Sequence, residues 1–476
     1  MAKLEHLNPQ RVFHYFEEIC AIPHGSENMN AISAYCMDFA NARGLKAIRD
    51  KANNVIIYKD AAPGYEQAEP ILLQGHLDMV CQKEEDCAID FRKDGLDLYV
   101  DGDFIKARGT TLGADNGIAV AMVLAILESK ELAHPALEAV FTTDEEIGMI
   151  GAGQLDFGLL NARKMINLDA EEDDSVTVSC AGGSDFQVTM PIRRVQKTGT
   201  KVTVTLKGLQ GGHSGVEIHK GRVNANLLAG RLLSGLDAEV ISINGGDKAN
   251  AIPNSCRIEL CTAEYDTFKK RAEDSFAAIQ NEIAAREPKA EMTVVADAAG
   301  TYEVFAADLK EALLDALLCA PNGVVEMSAE IEGLVETSLN LGILSTGKEE
   351  VLLHFALRSN KHSAICHLEK RLQRFFRKAP CTVRTFGYYP SWEFKRDSAL
   401  QGLYKEIYTQ EMGGAPKVEA IHAGLECGVF AAGLPGLDCI AIGPQLYDVH
   451  TVNERLSISS LERMFRILTE LLKASR

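Results

Sequence analysis

The sequence predicts an α/β protein: one α/β domain assembled from both ends of the chain, interrupted by an inserted α+β domain. Three observations predict it. Four short apolar strands follow one another in the first third and deliver acidic or imidazole groups to, or just past, their carboxyl ends. From about residue 187 the pattern turns to amphipathic strands and helices without acidic ends, and after about residue 388 the first pattern returns. At 476 residues the chain is also too long for one ordinary domain. The expected boundaries are therefore 1–186 and 389–476 for the two parts of the first domain and 187–388 for the insert.

Taken in order, Val12, Phe13, Phe16 and Ile19 have helical apolar spacing, and Ile22-Pro23-His24-Gly25-Ser26 separates that helix from a second over about 28–43. Residues 54–59 read as a strand. Ile71-Leu72-Leu73 reads as a buried strand leading into Gln74-Gly75-His76-Leu77-Asp78, where His76 and Asp78 leave one face at the carboxyl end. Open α/β sheets place their chemistry at that end. An acidic excursion with a small hairpin over 98–105 comes next. Gly113-Ala114-Asp115-Asn116-Gly117 then opens a helix over 118–127 that is apolar nearly all round, and so is expected to lie buried against the sheet. Leu137 to Thr143 is a strand ending in Asp144-Glu145-Glu146, and Lys164 to Asp169 is another ending in an acid.

In the insert, strands are expected over 201–207, 239–243, 254–261, 291–296, 324–329, 337–344 and 350–358, with helices over 222–236, 267–285, 308–318 and 361–378. These form two β-α-β-β-α-like passes, which suggests internal duplication. Beyond it come a helix over 397–410, a glycine-rich turn from His422 to Gly428, a strand over 438–443, a turn from Asp448 to Glu454, and a last amphipathic helix over 460–473 that belongs to the core.

Composition bounds the function. A hydrophobic share of 46% and a charged share of 24% are those of a globular protein, and the net charge of -18 disfavours nucleic acid and anionic membrane as partners. No stretch approaches the roughly 20 apolar residues of a membrane span. Met1-Ala2-Lys3-Leu4-Glu5-His6 has no apolar signal region, so a cytoplasmic location is expected. The 12 cysteines include no C-x-x-C pair and read as reduced, mostly buried thiols. With no G-x-x-x-x-G-K-[ST] and no G-x-G-x-x-G at a strand-helix junction, a nucleotide-binding enzyme is not indicated.

His76, Asp115, Glu145, Glu146, Asp169 and His450, with Asp78 beside His76, form a set suited to two divalent metals. Two cations about 3.5 to 4 Å apart need a bridging anion. Asp115 fits the bridge, His76 and His450 the terminal nitrogens, and Glu146 and Asp169 the terminal carboxylates. Asp78 would then orient His76. Of two adjacent acids only one turns easily to a given metal, which leaves Glu145 as general base. Singly these residues mean little: His-x-Asp is commonplace, Glu145-Glu146 alone is usually a solvated face, and Asp169 precedes the acidic run 171–174. Together at strand ends they mark a metal cluster.

The stretches Gly75-His76-Leu77-Asp78-Met79-Val80, Gly113-Ala114-Asp115-Asn116-Gly117, Thr143-Asp144-Glu145-Glu146-Ile147-Gly148 and His450-Thr451-Val452-Asn453-Glu454 resemble the co-catalytic dizinc peptidases that include aminoacylase, carnosinase and peptidase T. Gly211-Gly212-His213-Ser214-Gly215, Asn250-Ala251-Ile252-Pro253-Asn254 and His422-Ala423-Gly424-Leu425-Glu426-Cys427-Gly428 resemble the branch that cleaves Xaa-His dipeptides. The resemblance covers essentially the whole chain. It implies a three-layer α/β/α zinc-peptidase domain with the insert as a lid, two Zn2+ with Co2+ or Mn2+ accepted, a cis peptide bond after Asp115, and the same ligands and base. It further implies that His213 polarises the scissile carbonyl, that Asn254 and Arg358 hold the substrate's carboxylate, and that Glu426 lies near its amino end. His219, His354 and His422 are left as pocket or structural residues. The implied activity is hydrolysis of unblocked dipeptides such as β-alanyl-histidine, with an aminotripeptidase or an N-acyl amino acid deacylase as the alternative. If the insert is duplicated, one chain supplies His213; if not, a homodimer partner would.

Overall fold

The structure is a computed structural model that describes residues 3–476; Met1 and Ala2 of the N-terminal hexapeptide lie outside the described residues. The chain forms two compact units. One comprises the chain up to Cys180 together with Phe394–Ala420 and Leu425–Arg476, and the other comprises Ala181–Glu393 together with the four residues Ile421–Gly424.

The first unit is built on an eight-stranded sheet in the order Lys46–Arg49, Val55–Lys59, Leu137–Thr142, Ile71–His76, Lys164–Asn167, Asp438–Ala441, Ser175–Cys180, Lys417–Ile421. The middle four run parallel. Every residue of Ile71–His76 and Leu137–Thr142 is buried, as expected of parallel strands covered on both faces. Helices supply that cover in an α/β/α arrangement. The helix Ala114–Glu128 is buried nearly all round. It packs against the helix Gln10–Cys20, with Gly117 beside Phe16 and Ile19. A small sheet pairs the hairpin strands Leu98–Asp101 and Phe104–Ala107 with Arg455–Ser457 and Leu446–Tyr447, and so fixes both ends of the loop that carries His450.

The second unit is an antiparallel sheet in the order Glu291–Phe305, Arg194–Lys207, Cys256–Thr262, Glu239–Gly245, Val335–Thr346, Glu350–Ser359, Gly182–Pro191, Thr382–Tyr389, with Gly323–Met327 beside Val335–Thr346. Helices Ala225–Leu233, Tyr265–Ile283, Ala307–Cys319 and His362–Phe376 turn apolar residues to its core. Phe186 and Phe376 stack there, and Phe355 meets both rings at an angle. From each edge inward the strands follow a corresponding sequence of connections. The internal duplication expected of the insert is not confirmed.

Several elements differ from expectation. The strand expected over 291–296 continues to Phe305, paired with Arg194–Lys207 on either side of a register shift between Thr200 and Val202. Thr382–Tyr389 is an additional edge strand. The expected glycine-rich turn ends early, because a helix starts at Glu426. Seven of the cysteines are buried, whereas Cys81 and Cys319 are exposed.

Candidate metal centre

The strand Ile71–His76 delivers His76 to its carboxyl end, and the first turn of the helix Ala114–Glu128 delivers Asp115 beside it. That turn is irregular. Gly113 is left-handed at φ 67°, Asp115 and Asn116 have non-helical backbone angles, and the bond between them is cis, as the resemblance implied. Asn116 ties the turn to two strands. Its Oδ1 accepts from the His76 backbone N–H at 3.1 Å, and its Nδ2 donates to the Leu168 carbonyl at 2.9 Å.

Asp115 stands between two imidazoles. Its Oδ1 lies 3.1 Å from His76 Nε2 and its Oδ2 lies 3.0 Å from His450 Nε2. Glu146 Oε1 is 3.0 Å from the same His450 nitrogen, and Asp169 Oδ1 is 3.4 Å from His76 Nε2. Five expected residues thus meet in one place, with one carboxylate shared between two arms. Ligand atoms of His76, Asp115 and Glu146 all lie within 4.8 Å of one another, close enough to surround one ion.

Asp78 is fully buried two residues beyond His76. Its Oδ1 lies 3.4 Å from His76 Nδ1, which also meets the Asp78 carbonyl at 3.0 Å. The same carboxylate accepts from the backbone N–H groups of Glu145 at 3.0 Å and Glu146 at 3.2 Å, and from Ser26 Oγ at 2.8 Å. Asp78 therefore holds the imidazole and the Glu145-Glu146 turn together. Glu146 faces His450, while Glu145 makes no such contact.

The electrostatics are those of an anionic cage. Burial acts to lower the His76 pKa, but Asp169, Asp115 and Asp78 overcome it and raise it well above the usual value. Hydrogen bonds to Asp115 and Glu146 push His450 up to about 11. Burial would raise Asp115, yet the two imidazoles hold it below the carboxylate range. Burial, reinforced by neighbouring carboxylates, pushes Glu145 up to about 9 and Asp169 up to about 6. Negative charge that protonates two imidazoles is charge a divalent cation would neutralise, and the nitrogen and oxygen donors suit zinc, cobalt or manganese.

Three supporting groups carried no role in the sequence reading. Buried Glu454 accepts from the N–H groups of Leu112, Gly113, Ala114 and Asp115 at 2.8 to 3.3 Å, which binds the Asp115 turn to the His450 loop. Gln74 links Asn167 to Glu426, and Thr142 donates to the same Glu426 oxygen at 2.6 Å. Glu426 is 0% exposed and is pushed up to about 7 by burial. An ammonium could pair with it only through Oε1, which has no hydrogen-bond partner.

The remaining expected residues belong to the second unit. The His213 Nδ1 accepts from the backbone N–H groups of Gly215 at 3.2 Å and Val216 at 3.1 Å, so a neutral ring carries its proton on Nε2. Burial and the Arg358 charge lower its pKa, favouring that neutral form. Arg358 is 9% exposed; Nη1 donates to the Tyr389 hydroxyl at 2.8 Å and Nε has no partner. Gly215 separates the two residues narrowly, since a Cβ there would stand 2.9 Å from the His213 ring and 3.2 Å from Arg358 Nε. Asn254 lines a cavity of about 600 Å³ with Gly211, Gly212 and Arg257. His354 pairs with Asp185 at 2.8 Å. His422 is buried between Ser338 Oγ at 2.7 Å and Asn360 Oδ1 at 3.3 Å.

Comparison with known proteins places this geometry in context. Residues 72–474 match the model of Peptidase family M20/M25/M40. The chain is 37% identical to the cytosol non-specific dipeptidase of Escherichia coli strain K12, over 99% of each protein. The crystal structure of aminoacylhistidine dipeptidase from Vibrio alginolyticus superimposes with a TM-score of 0.93 at 36% identity, covering 99% of this chain and 98% of that one. The aminopeptidase PepT of Bacillus cereus shares the fold, with a TM-score of 0.57 at 14% identity, over 98% of this chain and 99% of that one.

Proposed function

Because the chain belongs to Peptidase family M20/M25/M40, a family of metallopeptidases, we propose that it is a metal-dependent dipeptidase hydrolysing Xaa-His and other unblocked dipeptides. The observation that carries the reading is Asp115 held between His76 and His450. Two relatives of nearly full coverage, both dipeptidases by name, favour it over an aminotripeptidase or an N-acyl amino acid deacylase. A cytosolic setting comes from the name of the Escherichia coli relative. Among the described residues no helix is long and apolar enough to cross a membrane.

His76, Asp115, Glu146, Asp169 and His450 would hold two divalent cations, with zinc as first choice. When bound, such ions act as Lewis acids on the scissile carbonyl and lower the pKa of the attacking water. Glu145, half-buried beside the cluster, takes the proton from that water and delivers it to the departing amine nitrogen. Asp78 keeps His76 and the Glu145 turn in register. His213 donates from Nε2 to the carbonyl oxygen as charge develops there. Arg358 and Asn254 receive the terminal carboxylate, and Glu426 contributes an acceptor toward the amino end.

The test is hydrolysis of β-alanyl-histidine by protein stripped with chelator and then titrated with zinc. Activity should return as about two ions bind per chain. Glu145→Gln should keep the metal content and lower kcat by roughly 10²- to 10⁴-fold. Metal binding without hydrolysis of any unblocked dipeptide would sink the dipeptidase reading and leave the metal cluster standing.

A further inference from the structure

Arg358 is a cation buried with no compensating charge: among the described residues it pairs with no carboxylate, and its Nε–H has no hydrogen-bond partner. A buried guanidinium in that condition is costly unless an anion joins it. A carboxylate suits it, because its two oxygens match two parallel N–H groups of the planar fork. Which pair of N–H groups is offered depends on what already holds the other side.

Four strands settle that. Ser338, Arg358, Gly183 and Tyr389 stand directly opposite one another across Val335–Thr346, Glu350–Ser359, Gly182–Pro191 and Thr382–Tyr389. Gly183 has no side chain, so Arg358 and Tyr389 meet across it, and Nη1 donates to the Tyr389 hydroxyl at 2.8 Å. A Cβ on residue 183 would stand 2.5 Å from that hydroxyl and 2.7 Å from the Leu357 carbonyl. On the other flank Ser338 is fixed by its 2.7 Å hydrogen bond with buried His422. With Nη1 engaged, the edge of the fork that carries Nε–H, beside Gly215, is the one left without a hydrogen-bond partner.

We propose that Tyr389 is a positioning residue: by holding Nη1 of Arg358 it presents the Nε edge of the guanidinium to the free carboxylate of a dipeptide, and so sets the preference for substrates with an unblocked carboxyl end. The proposal rests on the dipeptidase reading for its substrate class. It assigns to Tyr389 and Gly183 a role in specificity that the chemistry at the metal centre does not require.

The experiment compares β-alanyl-histidine with its carboxyl-terminal amide in the wild type, Tyr389→Phe and Arg358→Lys. Removing one hydrogen bond to a charged group should raise KM for the free acid about tenfold in Tyr389→Phe, with kcat and metal content unchanged and the amide unaffected. Arg358→Lys should abolish the preference for the acid. If Tyr389→Phe keeps the ratio of acid to amide, or weakens both substrates equally, the positioning role is overturned. If Arg358→Lys also keeps that ratio, the assignment of the carboxylate to Arg358 falls with it. Calorimetric affinities of the metal-free protein for the two compounds give the same ratio without turnover. Failure to hydrolyse then counts against the dipeptidase reading alone, and equal affinity for acid and amide counts against Tyr389.

Discussion

His422 is an imidazole that stays neutral, because burial and then the neighbouring Arg358 charge lower its pKa to about 3 from a usual 6.5. In the unfolded chain it would take up a proton below pH 6.5, while the folded chain resists. Its contribution to stability is therefore complete above pH 6.5 and is lost as pH falls toward 3, at about 1.4 kcal/mol per pH unit. Denaturant unfolding of His422→Gln and wild type between pH 7 and pH 5 should show the shallower slope in the variant; parallel slopes would remove the claim. At this scale much of the site was legible. His76, Asp115, Glu146, Asp169 and His450 each end or follow a recognisable local element, so strand-end acids and imidazoles could be read one by one and added. Tyr389 was not legible, because its partner is reached through sheet register across Gly183. Glu426 was read as facing substrate, and its full burial between Gln74 and Thr142 depends on residues some 350 and 280 positions away.

The turn into the helix Ala114–Glu128 is an element that does not hold itself. Four consecutive backbone N–H groups, from Leu112 to Asp115, are satisfied by the one carboxylate of Glu454, which burial pushes up to about 7. Glu454→Gln keeps the shape but offers one acceptor oxygen where two served. Zinc affinity, read by competition with a chromophoric chelator, should fall roughly 10- to 100-fold, the usual range for groups that support a metal ligand. Unchanged affinity would mean the turn is set by Asn116 alone. Buried strands such as Ile71–His76 were easy to read because an apolar run between turns has few other uses. The outer half of Glu291–Phe305 was not, since its Ala-Asp-Ala-Ala-Gly stretch has neither alternation nor β-branching and gains its pairing from the long strand beside it. The helix start at Glu426 was hidden likewise by the glycines around it.

Across the whole molecule, the division into two kinds of texture was legible because parallel strands under helices and antiparallel strands with one wet face have different hydrophobic periods. What no period reveals is that Ile421–Gly424 goes with the second unit. The Ala181 N–H donates to the Ile421 carbonyl at 3.0 Å, and His422 fills the space beside Ser338 and Asn360. A fragment spanning 181–393 should therefore melt well below the second unit of the full chain, and a peptide carrying 417–428 should raise its melting temperature; a fragment as stable as the parent would show the four residues to be dispensable. The same feature bears on how the protein is made. A chain leaving the ribosome from its amino end releases the last residue of Glu393 long before His422 emerges, so the second unit waits for a piece that arrives some thirty residues later. The first unit waits for its final helix. Neither half can finish early, and a nascent chain arrested before residue 421 would expose two incomplete cores at once, so the interval between residues 393 and 421 is one in which a chaperone is needed.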